Sequence, residues 1–171
     1  GEAETVVVEC PPHPEFGGNG NDRNLTALRD FLLDRGIATL RFDYGEWDDG
    51  QAEREDVRNA LRWGGNNYDQ VGLFGYSFGG IMAAFAAGTV DVPLCAVSLL
   101  APAAQVAAFD PAETLQAVEA PLQVVVGTRD DTADWKEMAD AARELGATVD
   151  EIPGDHFFVG QQAKVARTVG E

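Results

Sequence analysis

Hydrophobic residues along the chain alternate between short continuous runs and longer stretches with a period close to four. The short runs are bounded by glycine, proline and acidic turns, which predicts strands buried on both faces. These strands are predicted at 5–10, 37–42, 71–74, 94–100, 122–126 and 148–152. The longer stretches predict helices, because apolar positions three and four residues apart share one helix face. These helices are predicted at 23–35, 52–63, 78–87, 112–118, 132–145 and 159–169.

The two kinds of element alternate from the first strand to the last helix. This alternation predicts an α/β fold with a doubly wound, mostly parallel six-stranded sheet and helices on both faces. With 171 residues, the chain is expected to form a single domain over residues 1–171. Because ligands of such sheets bind beyond the carboxyl ends of the strands, polar residues that follow strands are the candidates for chemistry.

One strand–helix junction carries the sequence Gly75-Tyr76-Ser77-Phe78-Gly79. A strand, the pattern G-x-S-x-G and a helix in this order form a nucleophile elbow, in which a strained turn lifts the serine hydroxyl above the sheet. Glycine is expected on both sides of the turn because strand and helix approach closely there. The pattern predicts Ser77 as a nucleophile. It also predicts the Phe78 N–H, at a helix N-terminus, as a donor to a developing oxyanion.

A serine nucleophile needs a base whose pKa lies near neutrality, and the chain has two histidines, His13 and His156. His156 follows the sixth predicted strand and Asp130 follows the fifth, which is the Ser-Asp-His chain order of α/β-hydrolases. We predict that His156 is the general base and that Asp130 orients it. Asp131 is the competing acid, and whichever aspartate does not face the histidine is expected to cap the next helix.

The loop after the first predicted strand is the expected source of a second oxyanion donor. Proline has no N–H, so among residues 11–16 only His13, Glu15 and Phe16 can donate from the backbone. We predict His13 or Phe16 as the donor. A loop whose prolines and glycines simply turn the chain is the alternative.

These segments resemble a family of small α/β-hydrolases whose loop reads H-P-H-P-x-x-G-G, with Pro11 in place of the first histidine. The matching segments are 11–18, 38–43, 75–80, 127–131 and 155–158. The chain is more distantly similar to dienelactone hydrolases, which carry cysteine where Ser77 stands. The resemblance implies an α/β-hydrolase fold that lacks the usual N-terminal hairpin, as in a truncated chain, and has no large cap. The segment 102–120 is the candidate lid.

The resemblance implies a serine hydrolase that cleaves an ester, thioester or similar acyl bond of a small molecule through an acyl-enzyme. Trp47, Tyr76 and Phe157 are candidates for the substrate pocket, although ordinary core packing would also explain each aromatic residue. The loop at 44–50 departs from the glycine-rich loop of the relatives, which leaves substrate contacts there open. No cofactor is implied, because the sequence has no metal-ligand cluster. A non-catalytic α/β-hydrolase-fold protein used for binding or assembly is the alternative.

Charge narrows the possible partners and surroundings. The chain has 29 acidic and 12 basic residues, a net charge of −17, which disfavours a nucleic-acid partner. The acids are spread along the chain and only two basic residues are lysines, a pattern that resembles proteins of extreme halophiles.

Cys10 and Cys95 are expected to be reduced and buried in strands. No apolar run is long enough for a membrane span and no signal peptide is recognisable, so a cytoplasmic protein is expected. The oligomeric state is left open.

Overall fold

Six strands form a single parallel sheet in the computed structural model, which describes residues 4–103 and 110–170. The strands are β1 (Thr5–Cys10), β2 (Ala38–Arg41), β3 (Gln70–Tyr76), β4 (Ala96–Leu100), β5 (Leu122–Gly127) and β6 (Thr148–Ile152). Their order is β2-β1-β3-β4-β5-β6, and every neighbouring pair is parallel. The predicted doubly wound α/β architecture is therefore confirmed.

Helices cover both faces of the sheet. They are α1 (Arg23–Leu33), α2 (Gln51–Asn67), α3 (Phe78–Ala87), α4 (Pro111–Gln116), α5 (Trp135–Glu144) and α6 (Gln162–Gly170). One core cluster joins the sheet to α2, α3 and α5, and the other joins the opposite face to α1 and α6. In the part of the chain that the structure describes, no helix combines the length and apolar character that crossing a membrane requires.

Several element boundaries differ from the sequence-based ones. Helix α2 continues to Asn67 through Gly64, where a side chain would crowd Val6 and Val71 of the sheet. Strand β4 begins only at Ala96, so the prediction that Cys95 is buried in a strand is wrong: this cysteine is exposed. Residues 104–109 of the predicted lid segment lie outside the described residues.

The strand order reverses beside β1, and this reversal fixes where a ligand can bind. From β1 the chain crosses to β2 at one edge, then returns to β3 and continues through β4 and β5 to β6 at the other edge. The crevice at such a switch point opens beyond the carboxyl ends of the central strands. Here the loop after β1 and the turn after β3 meet, and these segments carry His13 and Ser77.

Candidate active site

The turn between β3 and α3 consists of one residue, Ser77, with φ 58° and ψ −119°. Side chains with a β-carbon rarely adopt a positive φ, so the backbone here is strained. An added β-carbon at Gly75 would overlap the Gly79 backbone, and one at Gly79 would overlap the carbonyls of Cys10 and Pro11. The crowding predicted for both glycines is thus present on either side of Ser77, at the end of β3.

The side chains of Ser77, His156 and Asp130 form one hydrogen-bonded row. Ser77 Oγ lies 2.7 Å from His156 Nε2, and His156 Nδ1 lies 2.7 Å from Asp130 Oδ2. All three residues are buried. With an ionised Asp130, the imidazole donates through Nδ1, which leaves the Nε2 lone pair to accept the serine proton.

Both carboxylate oxygens of Asp130 are occupied. While Oδ2 faces the histidine, Oδ1 accepts from the backbone N–H groups of Thr132 and Ala133 at 2.8 and 2.9 Å. Burial alone would raise the pKa of Asp130, but the hydrogen bonds from His156 and the two N–H groups outweigh it and lower the pKa. The carboxylate is therefore held in its ionised form.

Asp131 is exposed and caps no helix, which corrects the division of roles predicted for the two aspartates. Helix α5 begins at Trp135, later than predicted, and its N-cap is Asp134, whose side chain accepts from a backbone N–H of the first turn at 3.1 Å. Asp130 itself closes the preceding turn. Asp130 thus makes the histidine contact and a turn contact, while Asp134 supplies the helix cap that was expected of the other aspartate.

The loop that carries His156 is held by a side chain at the end of β3 and by the backbone at and just after the end of β5. Gly127 allows the 154–155 backbone to approach the end of β5, where a β-carbon would lie 2.7 Å from the Gly154 oxygen. The Arg129 N–H donates to the same oxygen at 2.9 Å. Tyr76, a predicted pocket residue, lines a cavity beside Ser77, and its buried hydroxyl also donates to the His156 carbonyl at 2.8 Å. This second contact was not predicted.

In the loop after β1, one of the expected donors, the His13 N–H, makes no turn contact with the described residues. The His13 carbonyl accepts from the Phe16 N–H at 3.1 Å and from the Gly18 N–H at 3.0 Å, and the Glu15 N–H donates to His13 Nδ1 at 3.2 Å. The Phe16 N–H is therefore already engaged, which corrects its prediction as an oxyanion donor. The His13 N–H remains, opposite Phe78, whose N–H lacks an intrahelical acceptor because it opens α3.

A cavity of about 400 Å³ opens above the serine hydroxyl. It is lined by Pro12, His13, Phe16, Gly17, Gly18, Asp22, Tyr76, Ser77, Thr132, His156 and Phe157. Phe16 and Phe157 form its rim, with 76% and 61% of their surfaces exposed. Trp47 was predicted as a pocket residue, but it is not among the residues that line this cavity. Its ring packs behind the loop, with centroids 4.4 Å from His13 and 5.5 Å from Phe78.

Two polar residues of this region, Asp22 and Asn24, were not predicted as site residues. Asp22 caps α1 by accepting from the Asn24 and Leu25 N–H groups at 2.8 and 3.3 Å, and it also lines the cavity. Asn24 is buried in the first turn of α1, and its Nδ2 donates to the Phe157 carbonyl at 3.3 Å. An asparagine two residues after the cap and one helical turn before Leu28 was the available signal, because a polar group on the apolar face of a helix needs a partner. Among the described residues, no group of three or more acidic, histidine or cysteine side chains is arranged to hold a metal ion.

Solved structures that are similar to this chain include α/β-hydrolases. The chain has an α/β-hydrolase fold. A serine hydrolase homologue from Coxiella burnetii is 26% identical, with a TM-score of 0.84, over 98% of this chain and 84% of that one. A serine hydrolase without a lid from Xanthomonas campestris is 22% identical, with a TM-score of 0.83, over 99% of this chain and 80% of that one. The described residues likewise include no large cap.

Two further comparisons extend this result. Est1E from Butyrivibrio proteoclasticus, solved with ferulic acid bound, is 16% identical, with a TM-score of 0.84, over 99% of this chain and 88% of that one. The family model "alpha/beta hydrolase domain containing 18" matches residues 49–119. A search among curated proteins found no match. The neighbours therefore support a hydrolase in general terms, at low identity.

Proposed function

We propose that the protein is a serine hydrolase that cleaves an ester or a similar acyl bond through an acyl-enzyme on Ser77. The observation that carries this proposal is the continuous row from Ser77 Oγ through His156 to Asp130, with both heavy-atom distances at 2.7 Å, beneath an open cavity. A serine that bonds to an imidazole oriented by a carboxylate is the arrangement that activates a hydroxyl at neutral pH.

Acylation begins at the serine hydroxyl. As Oγ attacks the substrate carbonyl carbon, His156 Nε2 accepts the hydroxyl proton, and Asp130 stabilises the resulting imidazolium. The carbonyl oxygen gains the negative charge, which the N–H groups of Phe78 and His13 would accept. The tetrahedral intermediate then collapses. His156 returns the proton to the leaving oxygen, and the acyl group remains on Ser77.

Deacylation repeats these steps with water as the nucleophile. His156 takes a proton from the water as it attacks the acyl carbon, and the same two N–H groups would stabilise the second intermediate. Collapse releases the carboxylic acid and restores the Ser77 hydroxyl. No step requires a group other than the residues already described.

The cavity favours an uncharged acyl group of modest size. Its volume of about 400 Å³ lies near the lower end of the range for ligand pockets. Its aromatic rim, Phe16 and Phe157, suits an apolar or aromatic acyl chain. Ferulic acid in Est1E is an aromatic acid bound by a protein of the same fold, and an arylacyl ester is therefore one substrate to assay here.

Labelling with a fluorophosphonate probe tests the proposal, because the probe reacts with activated serines. The chain has two serines, Ser77 and Ser98, and the second donates to Gln123 Oε1 at 2.7 Å within the sheet. We expect wild type and Ser98→Ala to be labelled, and Ser77→Ala to be folded but unlabelled. An unlabelled wild type would instead favour the non-catalytic binding protein.

A further inference from the structure

A second groove continues from the cavity along the N-terminus of α1. It encloses about 370 Å³ and shares Gly17, Asp22, Tyr76 and Phe157 with the cavity above Ser77. Beyond this shared wall it is lined by Asn19, Asn21, Arg23, Asn24, Val159 and Gln162. A substrate whose scissile bond lies at Ser77 can therefore extend into the groove.

Polar groups without partners line this groove. The side chains of Asn21, Arg23 and Gln162 form no hydrogen bond or ion pair within the described ranges 4–103 and 110–170. Asn24 Oδ1 is buried and also lacks a hydrogen-bond partner among these residues, although its Nδ2 is engaged. Asn24 Oδ1 is buried without a partner, which is costly, and this unpaired acceptor points to a polar ligand at this end of the groove. Asn21 and Arg23 are exposed, so their donors and acceptors are open to such a ligand.

The charge of the groove indicates which polar ligand fits. It contains one carboxylate, Asp22, and one guanidinium, Arg23, whose charges offset each other within a chain of net charge −17. An anionic ligand, such as a nucleotide-linked thioester, would be repelled by the surrounding surface. The groove walls also expose two apolar side chains, Phe157 and Val159, with 61% and 71% of their surfaces exposed. Neutral polar groups beside apolar surface match the hydroxyls and C–H faces of a sugar.

We propose that this groove binds the carbohydrate leaving group of an acylated sugar, whose acyl group occupies the cavity beside Ser77. The proposal rests on the proposed serine hydrolase function. In the reaction, the sugar oxygen leaves with the proton returned by His156, and water then releases the acyl group as a carboxylic acid. The sugar hydroxyls bond to Asn21, Asn24 and Gln162, and the ring packs on Phe157.

Two acetate esters with matched acyl groups test the proposal: glucose acetylated on its primary hydroxyl and propyl acetate. Acetate release by wild type and by Asn21→Ala/Gln162→Ala is followed in a pH-stat. Neither substituted side chain forms a hydrogen bond or ion pair with the described residues, so the fold is expected to persist. Gln116→Ala is the matched control, because this exposed glutamine lines a groove beside the first residues of β5 and β6, at the opposite end of the sheet.

We expect wild type to prefer the sugar ester by roughly tenfold in kcat/KM, given the usual strength of a few hydrogen bonds. The double variant should lose this preference and keep its rate on propyl acetate, whereas the control should behave as wild type. Equal rates of wild type on both esters, or an equal loss on both by the double variant, would overturn the sugar site while leaving the hydrolase intact. Absence of hydrolysis together with absence of probe labelling would overturn the hydrolase and, with it, the sugar site.

Discussion

Asp130 and Glu9 are both buried carboxylic acids, but their surroundings differ. Both oxygens of Asp130 accept hydrogen bonds, and its pKa is lowered. Neither oxygen of Glu9, within β1, has a hydrogen-bond partner among the described residues. Burial raises the pKa of Glu9 to about 8, despite the opposing charges of Arg41 and Arg29. Burial penalises ionisation at both positions, so the hydrogen bonds decide which acid stays charged at neutral pH.

The comparison has a functional side. Asp130, which would stabilise an imidazolium in the proposed mechanism, lies where backbone N–H groups from the following turn can reach its carboxylate. Glu9 lies near the end of β1, opposite Arg41 in β2 and Phe74 in β3, where the backbone groups of the strands pair with each other. Asp22 and Asp30 add repulsion to its environment. Glu9 is thus expected to be a neutral core residue, while Asp130 is the ionised partner of the candidate base.

The largest expected effect follows from Asp130→Asn. The asparagine oxygen can keep the Thr132 and Ala133 N–H bonds, so melting should stay near normal. Its amide would donate to His156 Nδ1 and force the proton onto Nε2, which could then no longer accept from Ser77. Such a change costs about 10⁴ in a serine protease, and we expect a loss of at least about a hundredfold in kcat on a p-nitrophenyl ester.

Asp131→Asn is the matched control, because Asp131 is adjacent, acidic and exposed. It should change neither kcat nor the melting temperature. A loss of activity in this variant, with normal activity in Asp130→Asn, would transfer the role to Asp131 and remove Asp130 from the comparison.

Glu9 provides the next largest effect, on the pH dependence of stability. Its pKa is about 8 in the folded chain and near 4.5 when unfolded, so between these values the folded state holds a proton that the unfolded state has lost. Stability should therefore fall as pH rises from about 4.5 to about 8 and level off above it, by roughly 3–5 kcal/mol in total. Glu9→Gln has no titratable group at this position, so its stability should lack this fall between the two pH values.

The measurement is the difference in unfolding free energy between wild type and Glu9→Gln, obtained by urea titration at several pH values. The variant should gain on wild type as pH rises through this window. A difference that does not change with pH would mean that Glu9 ionises in the folded state as it does in the unfolded chain. Asp130 has the opposite sign: its contribution is present above the unfolded pKa and is lost as pH falls through the lowered folded pKa.

These contrasts also show how far the sequence could predict this site. Ser77, Asp130 and His156 follow β3, β5 and β6, and parallel strands bring their carboxyl ends to one edge of the sheet. Side-chain type and strand order were therefore enough to predict that these residues meet.

The backbone donors and the helix start depended on turn geometry that residue types do not specify. From the sequence, the Phe16 N–H was a possible oxyanion donor. In the structure, the turn directs this N–H at the His13 carbonyl. The cap of α5 moved to Asp134 because Asp130 accepts from the two N–H groups that would otherwise begin the helix. Trp47 was expected in the pocket, but it supports the loop from behind because its position depends on packing with His13 and Phe78.

A smaller effect is expected at Tyr76, whose hydroxyl holds the loop on which the contact between Asp130 and His156 depends. Tyr76→Phe removes one buried hydrogen bond, worth about 1 kcal/mol, and should lower the melting temperature by about 2–4 °C. Because the His156 backbone is then less well fixed, kcat should fall by roughly fivefold with little change in KM.

The matched control is Tyr44→Phe. The Tyr44 hydroxyl donates to the Pro11 carbonyl at 3.0 Å, so the same atom is deleted and a similar bond is lost. This variant should show the same drop in melting temperature with a smaller loss of kcat. Equal losses of kcat in the two variants would assign the effect of Tyr76 to stability alone.

The smallest expected effect is that of salt on the difference in unfolding free energy between wild type and Glu9→Gln. The net charge of −17 is carried mainly by exposed acids, whose mutual repulsion is screened as the Debye length falls to about 3 Å near 1 M salt. We therefore expect the melting temperature of wild type and of Glu9→Gln to rise between about 0.1 M and about 3 M KCl. Glu9 is buried away from the ions, and salt screens buried groups much less than exposed ones.

The difference in unfolding free energy between wild type and Glu9→Gln at one pH should then change by less than about 0.5 kcal/mol across this range of salt. A melting temperature that stays flat with salt would argue against a halophilic surface, and a difference that shrinks with salt would mean that mobile ions reach the Glu9 carboxylate.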